Sequence, residues 1–380
     1  MIRPIYLDYN GTTPHDPEVI EAMPPFFEVE FGNPSSTHWY GIKPKQAVEA
    51  ARRQVAGLLG CRPEEILFTS GGTESNNHAI RGIAHALKHK GRHIVTSTFE
   101  HPAVLEVCRY LACEGFDTTY VDVDERGMID PPAIESAIRR DTILITIMHA
   151  NNEVGTLQPI AAISEIARRR EVLLHTDAAQ SLGKVSADVE ALGVDLLSVA
   201  GHKLYAPKGI GALYVRRGLE PEKYCYGAGQ EKGRRAGTEN VLEIVGLGKA
   251  CEIAARDLTT NMAHMQAMRD RLHRGIASRI DDVRLNGHPD HRLPNTLSLA
   301  FKNLEANRLL EEIGLEVAAS AGAACHADTV ELSHVLQAMR VPVDWAKGTL
   351  RFSTGRMTQP EEIDRAAEVV VQAAKRLRSA

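Results

Sequence analysis

From about residue 63 to residue 215 the chain repeats one pattern: a short β-branched apolar run, then a longer stretch with helical spacing. Segments 66–69, 93–96, 142–148, 172–175 and 196–199 read as buried strands. Between them, 75–89 and 160–170 carry helical periodicity and end on basic residues, which suit the negative end of a helix. This alternation predicts an α/β fold with a mostly parallel sheet flanked by helices. Ligands of such sheets gather beyond the carboxyl ends of the strands, so the residues just after each apolar run are where chemistry is sought.

Beyond Asn240 the rhythm changes. Residues 242–277 form one long helical stretch rich in Ala, Arg and Met, followed by shorter strands such as 296–301 and a last helix over 361–377. A chain of 380 residues exceeds one minimal domain. The change of rhythm divides it into a large domain, 15–255, and a smaller α+β domain made of 1–14 and 256–380.

Composition narrows the class without naming a chemistry. With 43% hydrophobic and 24% charged residues the chain reads as an ordinary globular protein. A net charge of -5 leaves no basic footprint for nucleic acid or an anionic membrane. The N-terminus lacks a basic stretch followed by an apolar run, and no apolar run is long enough to span a bilayer. Six cysteines at irregular spacings, without CxxC pairs, suggest reduced thiols in a cytoplasmic protein, not a disulfide framework or a zinc site.

Five features follow apolar runs. Thr69-Ser70-Gly71-Gly72-Thr73-Glu74-Ser75-Asn76-Asn77 runs into a helix, where glycines admit close approach and free N–H groups favour a phosphate. His101 follows the second strand, Asn151-Asn152-Glu153 the third, and Asp177-Ala178-Ala179-Gln180 the fourth. Gly201-His202-Lys203 follows the fifth, where burial lowers a lysine pKa and leaves the amine nucleophilic. Each feature alone has an ordinary structural reading as a cap, a turn or a packed histidine. Together they match the needs of one cofactor, pyridoxal phosphate (PLP): a lysine, an acid for the pyridine nitrogen, a phosphate cradle and a ring-stacking group.

Residues 320–328 are a run of small side chains around Cys325. Such a run buries little apolar area and reads as a mobile, exposed loop. His326 and the N-terminus of a following helix would favour the thiolate. The ordinary alternative is a small buried cysteine at a helix start. Arg351 falls in a short strand of the same domain, where it is either solvated or a carboxylate fork.

With these motifs the chain resembles the cysteine desulfurases of the NifS/IscS-like group, within fold-type I PLP enzymes. The resemblance runs from Tyr6-Leu7-Asp8-Tyr9-Asn10 through Phe31-Gly32-Asn33-Pro34-Ser35-Ser36 and the five motifs above. It continues through Gly237-Thr238-Glu239-Asn240 and Arg351-Phe352-Ser353-Thr354-Gly355-Arg356 to the last helix. It implies that Lys203 holds PLP, Asp177 pairs with the pyridine nitrogen, and His101 stacks on the ring and relays protons. Gly72, Thr73 and His202 are implied at the phosphate, helped by Thr238 from a second subunit, and hence a homodimer. Asn152 and Gln180 are implied on the phenolic-oxygen side, and Arg351, with Asn33 and Asn152, at the substrate. Cys325 is implied as the nucleophile that takes sulfur from L-cysteine before passing it to an acceptor such as an iron–sulfur scaffold. One position departs from the family pattern: Ala200 stands where a phosphate-binding serine is common. Two other readings remain: a selenocysteine lyase acting on L-selenocysteine with the same machinery, and a catalytically silent sulfur-relay protein.

Overall fold

The computed structural model describes residues 3–326 and 329–379, and only the backbone at 323–326 and 329–331. Its centre is a seven-stranded sheet whose spatial order is Ile66–Thr69, Gly211–Val215, Leu196–Ala200, Leu173–Asp177, Thr142–Thr146, His93–Ser97 and Asp117–Val121. Gly211–Val215 runs antiparallel to both neighbours. The other neighbouring pairs are parallel. All five predicted strands are present, and four of the seven are buried along their whole five-residue length. That double-sided burial explains why His93–Ser97, Thr142–Thr146 and Leu196–Ala200 read as continuous apolar runs. Buried polar groups are tied across the sheet: His175 of Leu173–Asp177 meets Thr146 Oγ1 at 2.8 Å and Ser198 Oγ at 3.0 Å. Burial pushes the His175 pKa down to about 3, so this ring is a neutral strut.

Two strands escaped the apolar pattern. Asp117–Val121 is an edge strand with polar, partly exposed side chains, as edges require. Gly211–Val215 opens with two small residues because space is short there. A Cβ on Gly211 would lie 2.5 Å from the Val199 carbonyl oxygen and 2.7 Å from the Gly71 Cα. The glycine lets the turn before the helix Gly72–Leu87 press onto the sheet. Gly71 itself, with φ of 149°, adopts a conformation open only to glycine.

The helix Val241–Ala277 has 37 residues and is about 55 Å long. Its first half, through Ile244, Leu247 and Cys251, packs in the core beside the sheet. Its second half, through Met268, Leu272 and Ile276, packs in a separate core. That second core lies on a four-stranded antiparallel sheet ordered Ser320–Ala321, Thr349–Ser353, Thr296–Phe301, Val283–Asn286. The N-terminal strand Ile5–Tyr6 pairs with Val317–Ala318, and Asp8 bridges to Ser353. Among the described residues no helix is long and apolar enough to cross a membrane.

Candidate active site

The carboxyl ends of the parallel strands open into a cavity of about 280 Å³. Its walls include Gly72, Thr73, His101, Asn152, Asp177, Gln180, His202, Lys203 and Arg351. The five strand-end motifs thus converge, as do the implied cofactor and substrate groups they contain. Asn10, Gly11, Asn76, Met148 and Ala200 complete much of the lining.

Lys203 ends a single turn, Gly201–Lys203, directly after its strand. Its Nζ donates to the carbonyl oxygens of Asn10 at 2.6 Å and Gly11 at 2.7 Å. Burial, reinforced by Arg351 and opposed by Asp8 and Asp177, brings its pKa down to about 8. Asn10 is the hub behind it. The Asn10 carbonyl also accepts from Gln180 Nε2 at 3.0 Å, and its Oδ1 accepts from the buried Lys184 at 3.1 Å. Lys184 donates to Gln180 Oε1 at 3.0 Å as well, which orients that amide. Burial, then the nearby charges of Lys203 and Arg351, hold the Lys184 pKa well below the usual lysine value.

Asp177 presents its carboxylate at the end of its strand. Asn76 Nδ2 donates to its Oδ2 at 2.6 Å and the Ala179 amide to its Oδ1 at 2.9 Å. His101 caps the helix Pro102–Cys113 by accepting the Ala103 N–H at Nδ1, 3.1 Å away. That bond leaves the ring proton on Nε2, available to the cavity. Burial lowers the His101 pKa, Asp177 opposes the shift, and Lys203 and His334 add to it. His202 sits 3.2 Å from Thr12 Oγ1 through Nδ1, and burial beside Lys203 takes its pKa to about 4. Both imidazoles are therefore neutral near pH 7.

Arg351 lies opposite, on the strand Thr349–Ser353. It donates to Asp8 Oδ1 at 2.6 Å and to the Asn152 carbonyl at 3.1 Å. Its Nε is buried with no partner among the described residues.

Two implied residues, Asn33 and Thr238, do not line this cavity on their own chain. Asn33 is exposed, with Oδ1 accepting the Ser35 N–H at 2.9 Å. Thr238 is exposed on its own chain. The Cys325 side chain lies outside the described residues. Its backbone belongs to the strand Ala323–His326, paired with Thr329–Leu332 so that Cys325 faces Val330. A second strand, not a helix N-terminus, therefore follows Cys325, since a run of alanines carries no periodicity to separate the two. Of the other cysteines, burial pushes the Cys61 and Cys108 thiols up to about 12 and raises that of Cys251, so these three are inert near neutrality.

The motifs contain Asp8, Asn10 and Asn76 but gave them no role, and Lys184 lies outside all of them. The available signals were slight: a polar pair ending the first short strand, and a lysine set among Ser181, Leu182, Gly183 and Val185.

The model of the aminotransferase class-V family matches residues 5–366. The chain belongs to this family. Two class-V relatives carry the name "Cysteine desulfurase IscS". The one from Dictyoglomus turgidum is 47% identical over 380 residues, covering 100% of this chain and 96% of its own. The one from Methanosarcina thermophila is 47% identical over 378 residues, covering 99% and 93%. A solved structure titled "NIFS-LIKE PROTEIN" superposes with a TM-score of 0.93 at 37% identity, covering 98% of this chain and all of its own.

PLP is the cofactor of these class-V enzymes, and the cavity fits it. The first-turn amides of Gly72–Leu87 have no intrahelical acceptors, and Gly72 and Thr73 line the cavity, where they would hold a phosphate. Asn76 Oδ1 is buried without a partner beside the Asp177 carboxylate. Lys203 supplies the amine. Ala200, 3.1 Å from a Cβ built on Gly72, makes the wall beside that cradle apolar where a serine would add one donor, worth about 1 kcal/mol.

Proposed function

We propose that this chain is a PLP-dependent cysteine desulfurase that converts L-cysteine to L-alanine and holds the removed sulfur on Cys325. The observation that carries this reading is the convergence on one cavity of a lysine amine of lowered pKa, a carboxylate and an arginine.

PLP, when bound, supplies an electron-poor ring that accepts the electron pair left at the substrate Cα. Arg351 grips the substrate carboxylate and fixes the amino acid's orientation. Lys203, as free amine, removes the Cα proton. Asp177 would hold the proton of the pyridine nitrogen and so keep the bound ring electron-poor. His101, with its proton on Nε2, would stack on the ring and exchange protons with the substrate thiol. Cys325 thiolate then attacks the substrate sulfur. The new S–S bond forms as the substrate Cβ–S bond breaks, and the electron pair stays on carbon, where a proton completes alanine. One cysteine and one enzyme thiol thus give one alanine and one enzyme persulfide, without an external oxidant.

In this reading the site is completed by a second copy. Phe27, Phe31 and Trp39 are 69%, 71% and 66% exposed, a large apolar surface for a lone chain. Asn33 lies within that stretch, and the adjoining Pro34 and Ser35 share a groove of about 290 Å³ with the loop 229–239 that carries Thr238. Burying this face in a homodimer would bring Thr238 to the partner's phosphate site. Sulfur acceptance by a scaffold protein and a cytoplasmic, reducing location complete the proposal, because free thiols persist there.

The test is to give purified holoenzyme L-cysteine without reductant and weigh the peptide containing Cys325. A mass gain of one sulfur atom with stoichiometric alanine is expected. Alanine formed without added mass at Cys325 would overturn the assignment. Faster turnover of L-selenocysteine that persists in Cys325→Ala would favour a lyase.

A further inference from the structure

The strand that precedes the Cys325 hairpin and the helix that follows it are both tied to substrate-handling residues. On the entry side, Ser320 is paired directly with Arg351 across the small sheet. On the exit side, Ser333 and His334 begin the helix His334–Ala338. Ser333 Oγ donates to Glu153 Oε2 at 2.6 Å, and His334 Nε2 donates to the Glu100 carbonyl oxygen at 2.9 Å. Glu153 adjoins Asn152, and Glu100 adjoins His101. The Ser333 amide, 3.3 Å from the Gly322 carbonyl, closes the base of the hairpin.

Capping alone does not require this arrangement. Ser333 already caps its helix by accepting the Val335 N–H at 3.0 Å, so the bond to Glu153 is additional. Behind it, Val335, Leu336 and Met339 pack in the core that contains Phe99, Met148 and Val154, away from the core of the small sheet. The hairpin therefore spans the two cores, with its exit fastened next to His101 and Asn152. Burial raises the Glu153 pKa, with Ser333, His334 and Arg351 opposing the rise, so the carboxyl group is held there by specific contacts.

We propose that Ser333 and His334, clasping Glu153 and the Glu100 carbonyl, are positioning residues that set the reach of Cys325 to the substrate sulfur. The inference rests on Cys325 being the sulfur acceptor. The clasp acts chiefly on the sulfur-transfer step, because neither of its hydrogen bonds involves Lys203, Asp177 or Arg351.

The experiment compares two readouts on holoenzyme variants. One is the rate of sulfur gain at Cys325 from L-cysteine without reductant. The other is exchange of the Cα proton of L-alanine in deuterated water, which uses Lys203 and Arg351 but not Cys325. Ser333→Ala and Glu153→Ala should each slow sulfur gain about tenfold, the loss expected from one misplaced contact. Proton exchange should stay within about twofold of wild type. Glu153→Gln, which keeps an acceptor for Ser333, should restore most of the sulfur rate. If both readouts fall together, the residues are merely structural and the inference is overturned. Unchanged sulfur gain in Ser333→Ala, with wild type gaining sulfur normally, also overturns it while leaving Cys325 as acceptor. If wild type gains no sulfur at Cys325, the acceptor assignment fails first and the clasp with it.

Discussion

Lys203 and Cys325 are the two nucleophiles of the proposed reaction, and they stand on opposite kinds of support. Lys203 follows a fully buried central strand, and its amine is held at 2.6 and 2.7 Å by two carbonyls. Cys325 sits in a two-stranded hairpin that leaves one core and re-enters another. The difference follows the two tasks. Proton removal from Cα demands one fixed geometry among lysine, cofactor and clamp, which strand ends supply. Taking sulfur and then surrendering it requires a group that meets two partners, and a hairpin rooted at both ends can serve both.

The sharpest way to break this contrast is to remove each nucleophile in turn. Lys203→Ala should lower both Cα-proton exchange and alanine formation by about 10²–10⁴-fold. Cys325→Ala should lower alanine formation from cysteine on a similar scale yet leave the exchange of L-alanine protons near wild type. Isotope exchange followed by mass spectrometry or NMR reads both. Loss of exchange in Cys325→Ala would mean the hairpin also builds the cofactor site.

A smaller effect tests the electrostatics of the rigid half. Capture of PLP by apoprotein needs the free amine of Lys203, whose pKa lies near 8, below the ordinary lysine value. The capture rate should rise about tenfold per pH unit below that point and level off above it. A rise that continues to pH 10 would show an unperturbed lysine and remove the argument from burial.

The smallest signal concerns groups that their own chain does not bring to the cavity. Lys203→Ala and Thr238→Arg proteins, each inactive, should recover about a quarter of wild-type activity after subunit exchange, because half the dimers then hold one intact site. Exchange without recovery would assign Thr238 to its own chain.

What was legible in the sequence divides along the same line. The strand-end motifs could be read because each follows an apolar run, and the parallel topology sends such residues to one edge of the sheet. Asp117–Val121 was hidden because an exposed edge strand lacks that apolar signature. Asn10 and Lys184 were hidden because their role depends on contacts across 193 and 174 residues of chain. No local spacing encodes such contacts. The alanines before Cys325 carry neither period, so the strand that follows it could not be told from a helix start.

The reach of Asn10 has a consequence for the order in which the molecule is made. Asn10 leaves the ribosome early, Lys203 midway and Arg351 near the end, yet Lys203 leans on the Asn10 carbonyl and Arg351 on Asp8. A growing chain can close the central sheet, but it cannot finish the pocket until its last strands have paired with its first residues. Cofactor capture thus reports a finished chain. An incomplete product, cut short before Thr349–Ser353, would lack the clamp and could not release a reactive sulfur species into the cell.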